Sequence, residues 1–269
     1  MNSGGFDFPN TGIENSSVIE TGEGNDTIEG NSYFVGISNQ GSINTGNGKD
    51  IIIAKTITSN WMWALNNTST IDTGDGQDSI ISQGNFTNRG NVFLGEDNDS
   101  IIADVDLPNR AIENFNFIGT GDGNDIITSI GVIYNEGVID TGNGDDIITG
   151  TGTEYGIYNN GGSINTGDGN DSIIANGGFE SGPNSSGSVF LGEGEDYIKG
   201  FGSGDFYGGN GNDTLELTPG TYTVGIWDTS LVFTKGNQLM ITSEFEKLKA
   251  GSTTYDFISL TAGQIITVA

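Results

Sequence analysis

The stretch "INTGDGNDSII", residues 164–174, decides how this chain is read, because near-copies recur along it: "IETGEGNDTIE" (19–29), "INTGNGKDIII" (43–53), "IDTGDGQDSII" (71–81) and "IDTGNGDDIIT" (139–149). Anchored on one apolar residue each, nine units align at Ile19, Ile43, Ile71, Val92, Ile118, Ile139, Ile164, Val189 and Phe206. Three residues after the anchor stands glycine every time: Gly22, Gly46, Gly74, Gly95, Gly121, Gly142, Gly167, Gly192 and Gly209. A second glycine follows at five after, as Gly24, Gly48, Gly76, Gly123, Gly144, Gly169, Gly194 and Gly211, and fails once, at Asp97. Seven after is always aspartate: Asp26, Asp50, Asp78, Asp99, Asp125, Asp146, Asp171, Asp196 and Asp213. Nine after is always Ile or Leu.

The pattern also runs backwards. Four residues before the anchor most units carry asparagine (Asn15, Asn39, Asn67, Asn88, Asn114, Asn135, Asn160), with Ser185 and Gly202 in the last two. Two residues earlier the first six units place a bulky apolar side chain, Ile13, Ile37, Leu65, Phe86, Ile112 and Ile133. The frame is constant while the aspartates lie 24, 28, 21, 26, 21, 25, 25 and 17 residues apart, so all the slack falls in one arc. A rigid frame with one variable arc is what a solenoid requires, since inward side chains must stack from coil to coil while insertions escape outward. Helices are excluded by Gly and Asn every few residues and by β-branched bursts such as "DIII" and "SII". The expectation is an all-β, right-handed parallel β-solenoid, a β-roll or β-helix, with the asparagines stacked as a hydrogen-bonded ladder. Nine coils at about 4.8 Å make a rod of roughly 43 Å.

Composition narrows the partners. The 269 residues hold 36 acids against 8 bases and no histidine, a formal net charge of −28, which disfavours nucleic acid and anionic membranes. With no cysteine and no histidine, disulfides, the usual zinc sites, cysteine nucleophiles and Ser-His-Asp triads are excluded. No apolar run reaches membrane-span length, and the first thirty residues show no secretory signal pattern. Hard cations remain as the complement of so much negative charge. In T-G-x-G-x-D the glycines let successive carbonyls turn toward one point, and the aspartate adds a carboxylate there. Six to eight such oxygens suit calcium. Two carboxylates stacked about 4.8 Å apart repel by about 3 kcal/mol at an effective dielectric of 20, and a divalent cation between them reverses the sign.

These residues resemble the RTX, or hemolysin-type, calcium-binding repeats, whose motif is G-G-x-G-x-D-x-U-x. The nearest copy is "YGGNGNDTL" at 207–215, and the likeness covers nine loops over residues 19–217. The resemblance implies a β-roll with Ca2+ held between adjacent loops by the nine aspartates and by carbonyls of the loop glycines and their neighbours. Here one loop occurs per 21 to 28 residues in most coils, where the family repeats its nonapeptide on both sides. That difference predicts a single calcium row, at most eight ions, on one edge, with an asparagine-turned edge opposite. Loop four is expected to be the weakest site because Asp97 replaces the second glycine, with the extra acid, itself a candidate ligand, compensating in part, and Lys49 in loop two is expected to weaken its site.

Residues 1–216 are read as the calcium-binding solenoid and 217–269 as a β-rich cap, because 32 of the acids fall in the first part and "LTPG" opens the second. In the tail, "TYTVGIW" and "LVFTKGNQLMIT" with a turn at Lys235-Gly236-Asn237 predict a hairpin that blocks the open end of the stack. The stretch 244–263 also resembles the uncleaved C-terminal signal of RTX proteins exported by type I machinery, which implies secretion or a place at the cell surface. No nucleophile, base and orienter set is present, nor an EF-hand, a P-loop or a dinucleotide fingerprint, so the chain is expected not to be an enzyme; polysaccharide modification by paired carboxylates is the catalytic alternative. The expected role is structural or adhesive, toward cell-surface glycans or other surface proteins. Ligand, mineral or ice recognition by the edge is the binding alternative, though the outward loop residues (Glu23, Asn47, Asp75, Glu96, Asp122, Asn143, Asp168, Glu193, Asn210) form an acidic row without threonine. Trp61, Met62 and Trp63 in the longest arc are expected to pack over the coil.

Overall fold

Each frame folds into three short strands because its apolar residues alternate with polar ones in bursts, and Asn or Gly interrupts each burst. The computed structural model describes residues 11–57, 63–105, 110–182 and 186–269 and arranges these strands in three sheets. The first sheet takes one strand per coil from Thr11–Asn15 to Phe179–Glu180, eight strands and hence seven full turns. The second runs from Val18–Glu20 to Gly204–Gly211, and the third from Thr27–Ser32 to Thr214–Leu217. Pairing between coils is parallel throughout, so the fold is an all-β parallel solenoid.

Register follows the repeat. Ile19 pairs Ile43, Ile43 pairs Ile71, Ile71 pairs Val92, and the anchors continue in step to Val189 and Phe206. The row nine after does the same from Ile28 and Ile52 to Leu215. With Ile37, Leu65, Phe86, Ile112, Ile133 and Ile157 from the first sheet, these rows close on one another as a three-sided apolar core. The variable arc is the corner between the third sheet and the first: Gly131 alone spans it after Ser129 and Ile130, whereas in the second coil the flanking strands end at Thr56 and resume at Trp63. Trp61, Met62, Ser185 and the opening residues 1–10 lie outside the described residues; Trp63 is 45% exposed and has the Arg89 guanidinium 6.0 Å from its ring, so it stands out from the coil where packing over it was expected.

Two expectations are corrected. The asparagine and glycine-aspartate turns are not opposite edges of a flat coil; they are adjacent corners of a prism, at the two ends of the second sheet. Its three-residue strands, such as Ser42–Asn44 and Thr70–Asp72, are short enough to hide inside the frame. The asparagine of the seventh coil is Asn159, not Asn160: Asn159 pairs Asn135. The corner there is one residue longer, and Gly161 at φ 75° absorbs the extra residue.

The ladder itself forms. Nδ2 of Asn15 donates to Oδ1 of Asn39 at 2.8 Å, and the chain of amides continues through Asn67, Asn88, Asn114 and Asn135 to Asn159 with every link at 2.8 to 2.9 Å. Most of these amides also donate to a carbonyl of the next coil, as Asn88 does to Phe117 at 2.9 Å. Buried amides are thus satisfied without water, which is what makes a polar column tolerable inside the rod.

Beyond Leu217 the chain makes the antiparallel strands Gly220–Trp227 and Ser230–Lys235, then turns at Gly236 and Asn237 into Gln238–Ser243. That last strand lies parallel on the second sheet, with Phe206 opposite Thr242, and Lys247–Ala250 lies parallel on the third, with Leu215 opposite Leu248. The cap therefore imitates a tenth coil on two of the three sides. Tyr222, Phe233, Phe245 and Leu248 fill the end of the core.

Candidate metal centre

The corner between the second and third sheets is built from left-handed backbone that favours glycine. Gly46 and Gly48 sit at φ 90° and 145°, and a Cβ on either would lie 2.1 and 1.8 Å from the carbonyl oxygens of Gly22 and Gly24 in the coil before. Every later loop repeats both constraints at its first glycine, including Gly74, Gly95, Gly121, Gly142, Gly167, Gly192 and Gly209. At the second position Gly24, Gly76, Gly123, Gly144, Gly169, Gly194 and Gly211 are also left-handed, and Asp97 holds the same sense at φ 82° despite its side chain. Glycine carbonyls are consequently stacked against bare Cα atoms, as close as main chains can come.

The nine aspartates line up behind this corner. Oδ1 of Asp50 accepts the backbone N–H of Asp26 at 2.7 Å, Oδ1 of Asp78 accepts that of Asp50, and the relay runs unbroken through Asp99, Asp125, Asp146, Asp171 and Asp196 to Asp213. Eight of the nine, Asp50 to Asp213, are buried, with at most 2% of each exposed. Their second oxygens have no such partner: Oδ2 of all nine, Asp26 included, is buried without a hydrogen bond. A file of unsatisfied carboxylate oxygens inside a protein is costly unless a proton or a cation meets it. Burial, followed by the neighbouring carboxylates, raises the carboxyl pKa of Asp78, Asp171, Asp196 and Asp213 to about 6, of Asp146 to about 7 and of Asp99 to about 8. Burial also pushes Asp125 up.

Among the described residues no three acidic side chains converge on one point. Each loop contributes one buried carboxylate, so any ion held here must complete its shell from the glycine carbonyls and from the next loop. The donor set is all oxygen, in keeping with a hard cation rather than a soft one.

Two components of the site are not singled out by the sequence reading. The threonine opening most loops sends its hydroxyl to the next coil: Thr21 to the carbonyl of Thr45 at 2.9 Å, Thr73 to that of Leu94 at 2.9 Å, and Thr166 to that of Leu191 at 2.9 Å. Its signal was the T of T-G-x-G-x-D. The cap supplies the other: Oε2 of Glu246 accepts the N–H of Asp213 at 2.7 Å, standing where a tenth aspartate would. Outside the corner, residues before several of the aspartates make a second, exposed and interrupted relay of opposite sense, in which Oδ1 of Asn124 accepts the N–H of Asp145 and Oδ1 of Asn170 that of Glu195, both at 2.9 Å.

Comparison with known proteins gives no match: no family model fits any part of the chain, and no curated protein matches its sequence. The class that fold and corner define is a parallel β-solenoid repeat protein with a stacked glycine-aspartate edge. Among the described residues no helix is long and apolar enough to cross a membrane.

Proposed function

We propose that this chain is a calcium-stiffened rod of the hemolysin-type repeat kind, exported by a type I route and acting as a structural or adhesive element at the cell surface. The observation that carries the reading is the file of nine buried Oδ2 atoms without hydrogen-bond partners. Asp26, Asp50, Asp78, Asp99, Asp125, Asp146, Asp171, Asp196 and Asp213, with carbonyls of the loop glycines, would hold the ions; bound calcium supplies the positive charge that lets these carboxylates stack ionised. The chain's own part is to fix the first oxygen of each carboxylate on a backbone N–H and to leave the second one free. Because nine loops leave eight spaces, eight ions is the upper limit. A chain whose sites exist only when coils are stacked spends its binding free energy on folding, which suits a protein that is unfolded where calcium is scarce and folds where it is plentiful. The segment 244–263, with its resemblance to a type I export signal, supports the same itinerary.

The test is a titration of the full chain. In chelator, circular dichroism is expected to show little β structure; added calcium should restore it cooperatively, calorimetry should count several ions per chain, and magnesium should substitute poorly. An unchanged β spectrum in chelator, with no heat on adding calcium, would sink the proposal.

A further inference from the structure

The outer face of the third sheet carries a band of isoleucine, while the second sheet exposes a sparser set of apolar residues at Val18, Phe93, Val138 and Phe190. Parallel strands covered on both sides read as apolar runs, and this sheet approaches that pattern with pairs or triplets of isoleucine: "IIIA" (51–54), "SIIS" (79–82), "SIIA" (100–103), "IITS" (126–129), "IITG" (147–150) and "SIIA" (172–175). Its inward row is the core, yet its outward rows are Ile51, Ile53, Ile81, Ile102, Ile126, Ile130, Ile147 and Ile174, interleaved with Ser and Thr, and no described residue covers them. Ile126 and Ile147 remain 41% and 40% exposed although strands flank both. The corresponding row on the first sheet carries Glu14, Ser38, Asn66 and Glu113, followed by Tyr134 and Tyr158, and no isoleucine.

Charge sets this face apart as well. The chain carries −28, but here four bases (Lys55, Lys199, Lys247, Lys249) meet four acids (Glu29, Asp104, Glu216, Asp256), so the face is neutral. Most of these charges pair at its two ends: Lys55 with Glu29 at 2.9 Å, Glu216 with Lys199 at 3.1 Å and Lys249 at 2.5 Å, and Lys247 with Asp256. The sheet runs from Thr27 to Lys249 without a bulge in any pairing.

We infer that this face is covered by the same face of a second copy, two rods packing sheet to sheet about a twofold axis. Nine strands at about 4.8 Å and five residues at about 3.3 Å give a footprint of roughly 700 Å2 per partner, close to the roughly 800 Å2 of a standard stable interface. Isoleucine stands outward on six of these nine strands, and a contiguous apolar band of that kind marks an interaction site rather than an ordinary surface. Self-pairing is the arrangement the charge favours: a neutral face meets a neutral face, the paired ends of one rod lie over those of the other, and the remaining acidity of both rods points away. Ile and Ser/Thr rows of the two faces interdigitate at about 10 Å, as in a sandwich.

Sedimentation velocity on the full chain in calcium, with circular dichroism on the same samples, decides it. The expected result is a species of twice the chain mass that tightens with salt, because apolar burial holds it and salt screens the repulsion between two acidic rods. Ile102→Glu with Ile126→Glu should give a monomer with an unchanged β spectrum, whereas Asn66→Glu on the first sheet leaves the dimer intact. If the double variant fails to fold, Ile126→Thr with Ile147→Thr, matching the neighbouring threonines, replaces it and should weaken association at least tenfold. A folded wild-type monomer at every concentration overturns the inference, also if the face then adsorbs to some other apolar or crystalline surface. So does a dimer that folded variants leave untouched, or one that salt dissociates.

Discussion

At the scale of the residue, each repeated aspartate has two tasks on two oxygens. Oδ1 of Asp146 accepts the N–H of Asp125 at 2.8 Å, while its Oδ2 is buried and unmatched. Asp146→Asn keeps the first task and removes the charge from the second. It is expected to stabilise the metal-free chain and to destabilise the calcium-loaded one, each by about 1 to 3 kcal/mol, and to lower the ion count. Melting curves in calcium and the β content of both proteins in chelator check this; a change of the same sign in both conditions contradicts it. The nine aspartates were legible because each stands at a fixed offset from its anchor. Their Oδ1 contact was not, since a spacing rule says which side chains stack but not which backbone group each one faces. Glu246 was hidden for a related reason. The cap reaches the same place with "SEFE", where Glu244 at φ 61° takes a turn that glycine makes elsewhere, so no motif announces it.

At the scale of the element, stability is held in columns that cross the coils, not in any single strand. Asn114 is a typical rung: it donates to Asn135 and to the carbonyl of Val138, and accepts from Asn88, all at 2.9 Å. Removing it leaves buried groups above and below without partners. Asn114→Ala is expected to cost about 3 kcal/mol, read as a lower urea midpoint, and well above the effect of an exposed asparagine such as Asn116. An indistinguishable midpoint would mean that water replaces the rung. The ladder shows where the sequence could be followed and where it slipped. Six of its seven asparagines were placed by spacing, and the seventh was misplaced by one because the extra residue sits inside the constant frame, where insertions were not expected. The three-sided section was missed because a strand of three residues leaves no periodic trace of its own.

At the scale of the whole molecule, the coils contact only their neighbours, so terms add along the axis. The raised carboxyls of Asp78, Asp99, Asp125, Asp146, Asp171, Asp196 and Asp213 add in this way. A carboxyl that holds its proton more tightly folded than unfolded stabilises the fold in acid. That contribution is complete below the unfolded value near 4 and is lost as pH rises through the raised folded values, about 6 to 8 for Asp78, Asp99, Asp146, Asp171, Asp196 and Asp213. In chelator, β structure is therefore expected to be greater at pH 5 than at pH 8, and calcium at pH 8 should restore it while releasing no more than the few protons still bound. A chelated protein whose spectrum and melting point do not change across this range would show that the column is not strained by its charge.

The aspartate relay has a direction, since every carboxylate faces the backbone of the coil before it, and that makes each coil interchangeable with the next. A unit duplicated or deleted in the middle of the gene meets the same donor on one side and the same acceptor on the other. Rod length can thus drift in whole steps without any new kind of joint having to arise, and Glu246 is the full stop that tells the array where counting ends.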